Sequence, residues 1–167
     1  MKALLIYDSQ YGNTEKVAQA IGEGMRQAGG EEMRLTVLNV KDATAEHFEG
    51  LELLVMGSPT QKFNPTGAIT FFIKNIPWGM LKGVAVTGFD TRLTPEEINR
   101  TKVLAFFVKI FGYAGKSITG QLISKGGRLA LPGEGFLVQG MEGPLVEGEL
   151  ERAKAWGGEI VEEFKKK

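Results

Sequence analysis

The sequence predicts an α/β fold: a parallel sheet with helices packed on both of its faces. Two observations predict it. Short apolar runs alternate along the chain with segments whose apolar residues recur at helical spacing. The runs themselves are nearly continuous in Leu, Ile, Val and Ala, as in strands buried on both faces, where a half-exposed strand would alternate with polar residues. Right-handed crossovers then leave few topologies. Ligands of such sheets sit outside the carboxyl ends of the strands, where the strand order reverses.

The first strand is ALLIY, residues 3–7. A helix over roughly 13–28 follows, with Val17, Ile21, Met25 and Ala28 on one stripe, and Gly29-Gly30 stops it. MRLTVLNV, 33–40, alternates more than the other runs and so reads as an edge strand. A short helix near 44–48 precedes the third strand, LELLVMG, 51–57. The loop SPTQKFNPTG leads into a helix that ends at IPWG. The fourth strand is GVAVTGF, 83–89, and after a helix near 115–126 the fifth is RLAL, 128–131, continued beyond PGEG by FLVQG. A last helix over about 144–164 carries Leu145, Leu150, Ala153, Trp156, Ile160 and Val161. The loops to read for function are therefore 8–14, 57–66 and 87–97.

These elements make one domain over 1–164, with a basic tail at 165–167. The segment 94–114, TPEEINRTKVLAFFVKIFGYA, is extra to that plan, and its VLAFFVKIF is apolar nearly all round. Three roles suit it: a helix packed into the core, a subunit interface making a homodimer through 98–113, or a lid or membrane-surface helix bearing Lys102 and Lys109.

Composition narrows the function classes. Of 167 residues 43% are hydrophobic and 24% charged, the range of ordinary globular proteins. Twenty basic residues balance twenty acidic ones, so nothing electrostatic points to nucleic acid. The absence of cysteine removes disulfides, thiolate catalysis and cysteine-held iron–sulfur clusters. ALLIY is too short for a signal peptide, and no apolar run approaches the roughly 20 residues of a membrane span, so a cytoplasmic location is expected. His47, in TAEHFEG, has no Cys or His partners in the sequence and reads as a surface residue. A phosphorelay receiver needs an acid at the end of the third strand, where this chain has VMGSP.

The chemistry-bearing stretch is Ser9-Gln10-Tyr11-Gly12-Asn13-Thr14, between the first strand and the first helix. A helix N-terminus presents unpaired N–H groups and positive partial charge. Hydroxyls and a glycine turn added to it make an uncharged cradle for a phosphate. Lys16 already lies inside the helix, so the stretch is neither a Walker loop nor a G-x-G-x-x-G fingerprint. A terminal phosphomonoester suits it; the plainer alternative is a turn capped by Asn13 or Ser9.

Over residues 5–21, LIYDSQYGNTEKVAQAI, the sequence resembles the flavodoxin signature: an aromatic strand end, Ser, a small residue, Thr, then Ala and an aliphatic residue on the helix. The resemblance implies a three-layer flavodoxin-like fold, a five-stranded parallel sheet in order 2-1-3-4-5, and a role as an FMN-binding protein that transfers electrons to and from a redox partner. It implies that Ser9, Gln10, Tyr11, Gly12, Asn13 and Thr14 hold the FMN phosphate. Pro59, Thr60, Gln61, Lys62, Phe63 and Asn64 would line one side of the flavin, and Thr87, Gly88, Phe89, Asp90, Thr91 and Arg92 the other. Phe63, Phe89 and Tyr11 are the aromatics available to stack on the ring; strand alternation would equally make Phe89 a core residue. No residue is assigned a catalytic role, and no metal site is expected.

The chain departs from the flavodoxin pattern in being neutral where the carriers are acidic, and in having no glycine between 58 and 63. Its GSPTQKFNPTGAITFFIKNI is similar to the corresponding loop of flavodoxin-like quinone reductases. An FMN-dependent NAD(P)H:quinone reductase is therefore the alternative function, with Lys62 either beside a reduced flavin or solvated. A flavin-free interaction module is the alternative from another class.

Overall fold

The computed structural model describes residues 1–61, 64–96 and 114–166. The elements follow in chain order as β1 (Lys2–Tyr7), α1 (Asn13–Gly29), β2 (Arg34–Asn39), β3 (Leu53–Pro59), α2 (Gly67–Asn75), β4 (Ala85–Leu93), α3 (Ala114–Ser124), β5 (Arg128–Leu129), β6 (Glu134–Val138) and α4 (Glu149–Lys165). The strands form a parallel sheet in the order β2-β1-β3-β4-β5, the expected flavodoxin-like order, with β2 at the edge.

The fifth position is divided. β5 pairs with Ala85 and Val86 of β4, and β6 pairs with Phe89 to Leu93 further along the same strand. Pro132 lies between them; lacking an N–H it cannot donate to a ladder, and the chain steps out of the sheet there before re-entering.

Alternation along the strands divides the core into two layers. Ala3, Leu5, Leu53, Val55, Ala85 and Phe89 face α1 and α4 and meet Val17, Ile21, Met25, Trp156, Ile160 and Val161. Leu4, Ile6, Leu54, Met56 and Val86 face α2 and α3 and meet Ile69, Ile73, Ile118 and Leu122. In the first layer α1 and α4 touch backbone to backbone. A Cβ on Gly24 would lie 1.8 Å from the carbonyl oxygen of Lys154, and one on Gly157 2.2 Å from that of Ile21. Both glycines are buried, so only hydrogen side chains allow this crossing.

Several boundaries differ from the sequence expectation, each for a tertiary reason. β4 continues to Leu93, beyond the expected 89, because β3 on one side and β6 on the other keep pairing with it. β3 covers 53–59 in place of 51–57. The helix near 44–48 is a 3-10 turn, Ala45–Phe48, in which His47 Nδ1 accepts the Thr44 N–H at 3.0 Å. The last helix begins at Glu149, not 144. Leu145 and Val146 turn back onto β6, where the Val146 N–H donates to Leu137, and Gly148, at φ +86°, starts the helix after them. The apolar segment assigned to 94–114 lies, from 97 to 113, outside the described residues.

Candidate functional site

β1 ends at Tyr7, and the chain reaches α1 through Asp8 to Gly12, with Gly12 in the left-handed region at φ +82°. Ser9 Oγ accepts the N–H of Glu15 at 3.3 Å and so braces the first turn from the loop. The N–H groups of Gln10, Tyr11, Gly12, Asn13 and Thr14 have no acceptor among the described residues. They are the orphan donors that a helix N-terminus leaves. An array of free N–H groups beside a positive helix end, with no Lys or Arg in it, fits a phosphomonoester oxygen set.

Beneath this loop the phenol of Tyr7 donates to Glu15 Oε1 at 2.9 Å. Burial and that carboxylate together raise the Tyr7 pKa from 10.0 to about 12. Thr14 and Thr91, both buried, share a hydroxyl hydrogen bond of 2.8 Å that ties the first turn of α1 to the end of β4.

The loop opens into a cleft of about 690 Å³ at the carboxyl edge of the sheet. That volume falls within the range of small-molecule sites. Of the expected residues, Gln10, Tyr11, Asn13, Thr14, Pro59, Thr60, Gln61, Asn64, Thr91 and Arg92 line it. Gln61 Nε2 donates to Gln10 Oε1 at 2.5 Å, linking the loop after β3 to the loop after β1, and the backbones of Gln61 and Asn64 pair with each other. Ser9 and Gly12 belong to the same turn without forming the wall. Lys62 and Phe63 lie outside the described residues.

The remaining expected residues sit deeper in β4. Thr87 is buried with its hydroxyl on the Leu131 carbonyl at 2.8 Å, and the Gly88 N–H donates to Thr119 Oγ1 at 2.9 Å. Phe89 is wholly buried, edge-on to Phe136 and Trp156 at centroid distances of 6.2 and 6.4 Å. It is the core residue that strand alternation allowed. Asp90 is also wholly buried, behind the wall, and accepts from Thr60 Oγ1 at 2.7 Å, Arg92 Nε at 2.8 Å and the Gly115 N–H at 2.9 Å.

One wall was missed in the sequence. Val138 at the end of β6, with Gly140 and Met141 in the loop after it, closes the cleft together with Pro65 and Leu93. That loop is pinned to the first residue of α1: Asn13 Nδ2 donates to the carbonyl of Glu142 at 2.8 Å, and within the loop Gln139 N–H donates to that of Pro144 at 2.8 Å. The signal was present, because residues 138–143 leave the carboxyl end of a strand just as the other loops do. Among the described residues no group of three His, Asp or Glu side chains could hold a metal, and no helix is long and apolar enough to cross a membrane.

Comparison with known proteins agrees with this geometry. The family model described as Flavodoxin matches residues 5–156. A curated flavodoxin of Aquifex aeolicus (strain VF5) is 33% identical over 93 residues, a match covering 54% of this chain and 49% of the relative's own length. Among solved structures, a flavodoxin from the domain Archaea superposes with a TM-score of 0.75 at 20% identity, over 99% of both chains. Oxidised Flavodoxin 1 from Bacillus cereus gives 0.72 at 19% identity, over 97% of this chain and 98% of that one. At those identities the two structures speak for the fold alone.

Proposed function

The chain belongs to the flavodoxin family, whose members carry FMN, and from that premise we propose that it is an FMN-dependent electron carrier. The observation that carries the reading is the row of unpaired N–H groups from Gln10 to Thr14, opening directly into the cleft. In this reading the phosphate takes the N-terminus of α1, and Thr14, braced by Thr91, adds a hydroxyl to its ligands. The flavin then extends between the loop of Pro59, Thr60, Gln61 and Asn64 on one side and Thr91, Arg92 and the 138–141 wall on the other. Bound FMN supplies the electron chemistry; the chain binds it, orients it and walls one side from water. Tyr11 and Met141, 47% and 81% exposed, stand at the mouth, where a partner gains access.

The electron donor and acceptor, a redox partner protein or NAD(P)H with a quinone, belong to the same proposal, as do a cytoplasmic location and a homodimer through 98–113. The test is a visible spectrum of the purified protein and of apoprotein titrated with FMN. A stoichiometric flavin spectrum is expected. A colourless protein that FMN does not reconstitute would sink the proposal and leave the interaction module. Direct oxidation of NAD(P)H by the purified holoprotein, with a quinone as acceptor, would make it a reductase in place of a carrier.

A further inference from the structure

Among the described residues that line the cleft, Arg92 bears the one formal charge. It is a built feature. The buried Asp90 carboxylate takes Arg92 Nε at 2.8 Å on one oxygen and Nη2 on the other, a two-point fork that fixes the guanidinium plane. Asp90 is itself held by Thr60 and by the first turn of α3. The guanidinium lies across Gly135, where a Cβ would come within 2.0 Å of its central carbon. Strand alternation turns Thr91 toward Thr14 at the phosphate end, whereas Arg92 lies on the opposite face of β4 with Asp90 and Thr60.

We propose that Arg92, oriented by Asp90, raises the affinity of the cleft for reduced FMN relative to its affinity for oxidised FMN. This rests on the reading above, in which FMN fills the cleft with its phosphate at α1. Taking up two electrons and one proton leaves the ring one charge more negative; the electrons come from a low-potential donor, which is dithionite in the assay. A guanidinium stays protonated throughout the pH range of proteins, so it attracts that added charge whatever the pH. Asp90 opposes the attraction but stands behind the wall, farther from the ring, so the nearer positive charge prevails. Asp90 is thus a positioning residue and Arg92 the group that faces the cofactor.

The test measures oxidised-FMN affinity by titrating apoprotein, and reduced-FMN affinity from the midpoint potentials of bound and free FMN. Arg92→Gln is expected to weaken reduced binding about tenfold more than oxidised binding, which for a two-electron couple lowers the bound potential by about 30 mV. Removing Arg92 alone strands a buried carboxylate and is expected to cost stability. The double variant Asp90→Asn/Arg92→Gln removes both charges and keeps the experiment decisive, with a smaller fall in the same direction. Arg92→Lys keeps the charge and should restore most of the preference. Equal changes in both affinities, or a wild-type potential in the double variant, would overturn the role of Arg92 while leaving FMN binding intact. Failure of the unaltered protein to bind FMN would overturn both.

Discussion

Thr14 shows how much one side chain can hold together. The residue is 1% exposed, and its hydroxyl, in the turn proposed to cradle the phosphate, meets Thr91 across 2.8 Å. Thr14→Val leaves Thr91 without that partner and removes a donor from the cradle. FMN affinity should fall by about 1–3 kcal/mol, read by fluorescence titration of the apoprotein; unchanged affinity would mean the phosphate lies elsewhere. Tyr7 gives a second reading at this scale, in pH. Its phenol ionises near 10 in an unfolded chain but is held to about 12 by burial and by Glu15. Between those values the unfolded chain has released a proton that the folded chain keeps, so stability is lost as pH rises through that window. Tyr7→Phe should flatten the loss, measured as the change in denaturation midpoint between pH 9 and pH 11 for the two proteins. At this scale the sequence was informative about the cradle and silent about its braces. Local spacing displays Ser9 to Thr14, whereas Thr14–Thr91 and Asn13–Glu142 join residues far apart in the chain.

Elements show where local patterns fail and why. Strand interiors were legible because a strand buried on both faces must be apolar throughout. Their ends were not. Asp90, Thr91 and Arg92 read as loop, yet they are strand, because β6 pairs with this part of β4 after the break at Pro132. The start of α4 was misplaced for a similar reason, since Leu145 and Val146 answer to β6 before any helix begins. The crossing of α1 and α4 was equally hidden. Gly24 and Gly157 look like weak points in helical patterns, where alanine would improve propensity by about 1 kcal/mol. In the fold they are where two backbones meet. Gly157→Ala should therefore destabilise by about 1–3 kcal/mol or more, seen as a lowered urea midpoint with little change in FMN affinity at low denaturant. An unchanged midpoint would mean that the helices separate without cost.

On the scale of the whole molecule, the sheet brings three loops to one edge, and the cleft exists only where they converge. A ligand that binds the folded chain and not the unfolded one stabilises it by mass action. FMN at 100 times its dissociation constant should add about 2.7 kcal/mol, raising the melting temperature of the apoprotein by about 5–10 °C for a chain of this size. Riboflavin, which lacks the phosphate, should give a clearly smaller rise at the same concentration; equal shifts would remove the cradle at α1 from the binding energy. The balance of twenty basic against twenty acidic residues also bears on partners. With no net charge there is no long-range monopole to steer an encounter, so recognition falls to the rim of the cleft.

The sequence by itself determined the layered parallel sheet, its order through the flavodoxin signature, and the polar turn proposed to hold the phosphate. Each is written in residues close together along the chain: apolar runs, helical stripes, and six residues between a strand and a helix. Tertiary structure decided what depends on distant residues meeting. It set the division of the fifth strand, the 138–141 wall, and the withdrawal of Phe89 into a ring cluster with Phe136 and Trp156. It also set the Asp90–Arg92 fork, whose two residues are near neighbours but whose burial depends on Thr60, Gly115 and Gly135 from three other parts of the chain. Periodicity reports which face of an element is buried. It does not report which neighbour arrives to bury it, and at this site the neighbours decide what the cleft presents.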